Sequence, residues 1–176
     1  MQFKELSVSG AHKVSLEKRG DERGFFARAF CEKEMGAHGL PTRFVQHNMA
    51  HNAHKGTLRG LHYQAAPHGE AKLVRCVRGR LFDFMVDLRP ESETYQQWCG
   101  IELTAENRDA LLIPVGCAHG YLTLEDDTEV LYMSSADYVP ESERGVRWND
   151  PAFGIELPIA PKTVSQKDAN WPDYKA

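Results

Sequence analysis

Between Arg80 and Leu88 the chain alternates with a period of two. Phe82, Phe84, Val86 and Leu88 fall on one face, and Leu81, Asp83, Met85 and Asp87 on the other. Only an extended strand has that period, so this stretch belongs in a β-sheet. Lys72–Val77 precedes it, and with Arg78-Gly79 between them the two runs read as a hairpin. Further strands are expected around Phe44–Asn48, Thr57–Gln64, Trp98–Leu103, Ala110–Ile113, Gly120–Leu124 and Glu129–Ser135. Helix is sparse: Cys31–His38 is a short candidate, and Ser165–Ala169 a single capped turn. There is no internal repeat, low-complexity tract or linker, and proline and glycine punctuate short segments throughout. The expectation is one all-β domain over residues 1–176, a sandwich or barrel of jelly-roll type with a few short helices.

A chain of 176 residues can bury a normal core without staples. Its formal net charge of −4 argues against general nucleic-acid binding but leaves room for a local basic site that takes an anion. Met1–Gly10 lacks the apolar run of a signal peptide, and no stretch is long enough to span a membrane, which points to the cytoplasm. Cys31, Cys76, Cys99 and Cys117 are scattered with no Cys-x-x-Cys, and read as reduced thiols, Cys76 and Cys117 as small core residues.

Chemistry concentrates in Arg59-Gly60-Leu61-His62-Tyr63-Gln64 and in Lys72, which the pattern places on neighbouring strands. A base beside an ammonium is what proton abstraction next to a carbonyl requires, because the cation holds the developing enolate. Ile113-Pro-Val-Gly-Cys-Ala-His-Gly120 has the Pro-x-Gly-x-x-His spacing of the second cupin motif, which delivers His119 to the mouth of a barrel. The first cupin motif is half present: Gly56 is correctly spaced from His62, but Gln64 occupies the second histidine position. One ligating nitrogen is therefore missing, and no metal is expected, although His62, Glu70 and His119 could form a poorer site. Taken singly, each of these residues has an ordinary structural reading: a satisfied strand histidine, an edge-strand lysine, a core tyrosine at Tyr132, a surface aspartate at Asp168.

Several ordered blocks carry a resemblance. They are Gly20-Asp-Glu-Arg-Gly-Phe-Phe26, Phe44-Val-Gln-His-Asn48, Leu58-Arg-Gly-Leu-His-Tyr-Gln64, Lys72-Leu-Val-Arg-Cys76, Phe82-Asp83 and Val86-Asp-Leu-Arg89. Beyond them come Ile113–Gly120, Leu131-Tyr132, Val146-Arg-Trp-Asn-Asp-Pro151 and Ser165-Gln-Lys-Asp-Ala169. Over nearly its whole length the chain resembles the dTDP-4-dehydrorhamnose 3,5-epimerases, which rearrange 4-keto-6-deoxy sugar nucleotides. The resemblance implies a cupin-like double-stranded β-barrel without a cofactor, acting on a nucleotide sugar as a homodimer with sites shared across the interface.

It further implies that His62 removes the proton next to the C4 ketone, that Asp168 partners the imidazole, that Lys72 holds the enolate oxygen and that Tyr132 returns a proton from the opposite face. Histidine titrates near pH ~6.5 and tyrosine near ~10, which suits a neutral base and a neutral donor. Asp83 is the rival partner for His62. For the diphosphate the resemblance points to Arg23 and Arg59, and for the rest of the substrate to Gln46, Asn48, His119, Glu143 and Lys167, with Tyr138 stacking on the base. Where the family has a substrate-contacting Glu, this chain has Arg28, a change that bears on the choice of nucleotide and sugar. In a regular strand Arg59 points away from His62, so either a bulge at Gly60 or service to a neighbouring subunit's site is required. A 3-only epimerase, an epimerase of another 4-keto sugar nucleotide, a metal-dependent cupin oxygenase and a non-catalytic sugar-nucleotide binder are the alternatives.

Overall fold

The computed structural model describes residues 1–175. In chain order its elements are β1 (Gln2–Glu5), β2 (His12–Ser15), β3 (Arg19–Asp21), β4 (Gly24–Phe26), α1 (Glu32–Ala37), β5 (Gln46–Asn52) and β6 (Thr57–Gln64). Then follow β7 (Lys72–Arg78), β8 (Arg80–Asp87), β9 (Trp98–Thr104), β10 (Ala110–Ile113), β11 (Cys117–Thr123) and β12 (Thr128–Ser134). The chain ends with β13 (Glu143–Gly145), β14 (Thr163–Val164) and α2 (Gln166–Ala169). Six strands form one sheet in the order β1-β2-β10-β7-β12-β5, and five form a second in the order β13-β6-β11-β8-β9, with β14 added parallel to β6. The fold is an all-β, cupin-like jelly roll. Among the described residues, no helix is long and apolar enough to cross a membrane.

Alternation explains the layers. Inward-facing Val74, Cys76, Leu81, Met85, Leu111, Tyr121 and Val130 fill the space between the sheets. Outward-facing Phe84, Val86, Leu58, Leu61 and Leu122 are covered by the C-terminal stretch through Val146, Phe153, Leu157 and Tyr174. On the other sheet, Leu73, Leu112 and Val14 pack beneath Met35 of α1 and Leu40. At ~25 cal/mol per Å² of apolar surface, these three clusters supply the main driving force for closure.

The expected hairpin is corrected. β7 pairs with β10 and β12, whereas β8 pairs with β11 and β9, so the two runs lie in different sheets. Gly79, at φ +74°, turns the chain from one sheet into the other. The inward faces of both runs meet across the barrel instead of along a ladder. The consequence for chemistry is direct: His62 and Lys72 stand on facing sheets, not on neighbouring strands. Elsewhere the expected strands shift at their ends, the largest change being β5, which starts at Gln46 and runs on to Asn52. Cys76, Cys99 and Cys117 are buried, and burial pushes their thiols up to about 11, 11 and 12.

Candidate active site

A cavity of about 740 Å³ opens between the sheets, a size suited to a small organic ligand. One wall is built by register. Gln46 lies opposite Ser134, and Ser134 opposite Lys72; Asn48 lies opposite Tyr132, and Tyr132 opposite Val74. Residues directly opposite share a face, so Gln46, Asn48, Lys72 and Tyr132 line the cavity together. On the other wall His62 is paired with His119, and Arg59 with Tyr121. Three steps along β6 thus match two along β11: a β-bulge at Gly60-Leu61. It brings Arg59 and His62 to the same cavity, which resolves the parity conflict within one chain. Only glycine fits there, because a Cβ on Gly60 would lie 2.6 Å from both Gly120 Cα and His119 O, and its φ is +118°.

Asp168 arrives from the C-terminal stretch. β14 lays Thr163 and Val164 beside Thr57 and Leu58, and Ser165 then caps α2 by accepting the Asp168 N–H at 3.0 Å. The buried Asp168 carboxylate meets His62 Nε2 through Oδ1 at 2.7 Å, and accepts the Gly60 N–H through Oδ2 at 3.2 Å. Burial alone would raise its pKa, but the bonds from His62, Gly60 and Ser165 outweigh that and hold it below the usual carboxylate value. Asp83, the rival, is engaged elsewhere: its Oδ1 meets His119 Nε2 at 2.7 Å. Asp83 is fully buried, and burial exceeds the attraction of His119, so its pKa lies above the ordinary value.

Lys72 Nζ forms an ion pair with Glu70 Oε1 at 2.8 Å inside the cavity. Burial, reinforced by the charge of Glu70, raises the Tyr132 phenol and keeps it protonated at neutral pH. Near the cavity rim the Tyr138 hydroxyl donates to Glu143 Oε2 at 2.8 Å, and Lys167 Nζ reaches Glu143 Oε1 at 2.6 Å. Burial would push Glu143 up, but these two bonds hold it below its usual value. Arg59 donates through Nε to Asn52 Oδ1 at 2.8 Å.

Arg23 and Arg28 are the two expected contacts that this cavity does not gather. Arg23 sits on the β3–β4 hairpin, paired with Asp21 and largely exposed, and Arg28 is paired with Glu34. The hairpin is a two-stranded sheet of its own, paired with neither main sheet. His62, Glu70 and His119 do not converge on one point: each is engaged by a different partner, Asp168, Lys72 and Asp83. Among the described residues no group of three or more His, Cys, Asp or Glu is arranged to hold a metal ion. The sequence reading missed Ser134 and Tyr121, which also line the cavity. Ser134 was accessible from alternation, two residues beyond Tyr132, and Tyr121 likewise two beyond His119.

A jelly roll holding a His–Asp pair, a lysine and a protonated tyrosine around one cavity is equipped for proton transfer at carbon, the chemistry of a cupin-like isomerase. The family model described as dTDP-4-dehydrorhamnose 3,5-epimerase matches residues 5–176, and the chain belongs to that family. It is 42% identical over 173 residues to the dTDP-4-dehydrorhamnose 3,5-epimerase of Sinorhizobium fredii, covering 98% of this chain and 89% of that one. The solved dTDP-4-dehydrorhamnose 3,5-epimerase of Elizabethkingia anophelis superimposes with a TM-score of 0.95 at 36% identity, covering 99% of this chain and 96% of the other. That of Bacillus anthracis, solved with TDP and PPi bound, gives 0.94 at 36% identity, covering 98% and 99%.

Proposed function

We propose that the protein inverts C3 and C5 of dTDP-4-dehydro-6-deoxy-D-glucose to give dTDP-4-dehydro-L-rhamnose, in deoxysugar biosynthesis of the dTDP-L-rhamnose type. The observation that carries this is the His62–Asp168 pair on one wall of the cavity with Lys72 and Tyr132 on the other. His62 takes the proton from the carbon next to the C4 ketone, and the C–H electrons move onto the C4 oxygen. The Lys72 ammonium holds that oxygen as an enolate. Tyr132 then protonates the same carbon from the opposite face, and inversion follows because donor and base stand on different walls. Proton exchange with water resets both groups. The ketone already acidifies its neighbouring C–H bonds, so the scheme uses neither metal nor redox cofactor.

Arg59 suits the diphosphate and Tyr138 the base, with Gln46, Asn48, His119, Glu143 and Lys167 between them. A relative solved with TDP bound supports a nucleotide-sugar ligand. We further read the chain as one domain and as a homodimer in the cytoplasm, with no nucleic-acid or membrane partner. In that dimer the β3–β4 hairpin reaches the partner's cavity, which would give Arg23 and Arg28 a substrate to touch. The exposed Phe25 and Phe26 on its second strand support this, being 48% and 76% accessible.

The test is NMR of dTDP-4-keto-6-deoxyglucose incubated with the protein in D2O. Deuterium at both C3 and C5 is expected; uptake at C3 alone would make the enzyme a 3-epimerase, and none at either carbon would refute the assignment. His62→Ala should abolish uptake while the circular dichroism stays unchanged. Full exchange in that variant would remove His62 from the role of base.

A further inference from the structure

We propose that Gln64 is a positioning residue for the base-reading aromatic: it clamps the backbone on both sides of Tyr138. The inference deepens the reading above, since it rests on Tyr138 stacking against the nucleotide base.

Gln64 ends β6 with only 4% of its surface exposed, and its carboxamide is fully committed to backbone. Nε2 donates to Asp137 O and to His68 O, both at 3.0 Å, and Oε1 accepts the Val139 N–H at 2.6 Å. The Asp137 carbonyl and the Val139 N–H belong to the two peptide groups that flank Tyr138. The N–H of Tyr138 itself is taken by Gln46 Oε1 at 2.7 Å. Two glutamines thus hold the Asp137 carbonyl and the N–H groups of Tyr138 and Val139, around an aromatic residue that is 54% exposed and hydrogen-bonded through its hydroxyl to Glu143.

Both Gln64 amide hydrogens are used, so it has no donor left for a ligand. Its bond to His68 O also ties down the loop that leads into Glu70 and Lys72. The position where a metal-binding cupin carries a histidine is therefore occupied by a clasp that joins two ligand-bearing loops to the strand bearing His62. Preordering an exposed stacking ring lowers the entropy lost on binding. Removing the clasp should weaken binding and leave the proton-transfer groups in place.

The experiment compares wild type, Gln64→Ala, Gln64→Glu, Tyr138→Ala and the Gln64→Ala/Tyr138→Ala double variant. Steady-state epimerisation and calorimetric binding of dTDP are both read. Gln64→Ala should raise KM and the dTDP Kd about tenfold with kcat reduced less than about threefold. Gln64→Glu keeps the acceptor for Val139 but sets a carboxylate against two carbonyls, and should be no better. In the Tyr138→Ala background the loss of Gln64 should add less than about twofold, because the clasp then has nothing to aim. Additive losses in the double variant, or a fall in kcat at unchanged KM, would overturn the proposal. A functioning wild type with an unaltered Gln64→Ala Kd overturns the clasp alone. A wild type that neither binds dTDP nor epimerises overturns the reading beneath it.

Discussion

An imidazole that takes a proton from carbon becomes a cation, and the group facing its other nitrogen decides how costly that charge is. Asp168 is ionised and can only accept, so His62 Nε2 carries the hydrogen and Nδ1 keeps the lone pair that the proposed proton abstraction uses. Asp168→Asn preserves size but removes the charge and the enforced tautomer, and kcat should fall roughly 10²–10⁴-fold with KM little changed. Steady-state kinetics at neutral pH will read this. The same carboxylate links stability to pH. Its pKa is lowered by folding, so its contribution is present above the ordinary carboxylate range and is lost as pH falls through the depressed folded value. Melting temperatures taken from pH 7 down to pH 3 should therefore drop less steeply for Asp168→Asn than for wild type. His62, Lys72 and Tyr132 were legible as a motif set. The choice between Asp168 and Asp83 was not, because the His62–Asp168 contact spans 106 residues and two aspartates were plausible. The structure gives each aspartate its own histidine.

At the level of elements, the bulge in β6 is what allows one strand to offer both a base and a guanidinium to the same cavity. Gly60→Ala places a methyl against the β11 backbone and forbids the native φ. It should destabilise by about 2–4 kcal/mol, lowering the melting temperature by roughly 5–15 °C, and depress activity in the fraction that still folds. Thermal unfolding followed by circular dichroism is the check; an unchanged melting temperature would mean that β11 yields there. The parity of Arg59 and His62 showed in the sequence that a regular strand could not serve both, but left a bulge and a neighbouring subunit's site as equal answers. The partnership of β7 and β8 was not. A period of two reports which face a side chain occupies and is silent about which strand lies alongside, so a turn at Gly79 served two facing sheets as well as one ladder.

For the whole molecule, the detached β3–β4 hairpin, with its arginines outside their own chain's cavity, makes the oligomer testable through hybrids. If each cavity borrows its partner's hairpin, His62→Ala and Arg23→Ala/Arg28→Ala chains refolded together in equal amounts should regain about a quarter of wild-type activity at low substrate. Neither variant alone should exceed its own residual rate. No recovery, in a sample that sedimentation shows to contain mixed dimers, would return the arginines to a purely surface role. The C-terminal stretch matters at this scale too. It covers the outer face of the second sheet, is fastened by Tyr174 to Tyr95 at 2.8 Å, and carries Asp168 beneath the floor of the cavity. The cavity lining itself runs on from Glu143 to Thr163, Ser165 and Asp168, so the stretch that covers the sheet also completes the cavity. Local opening of that one segment would bare the outer face of the sheet and strip the His62 imidazole of its counter-ion in a single event.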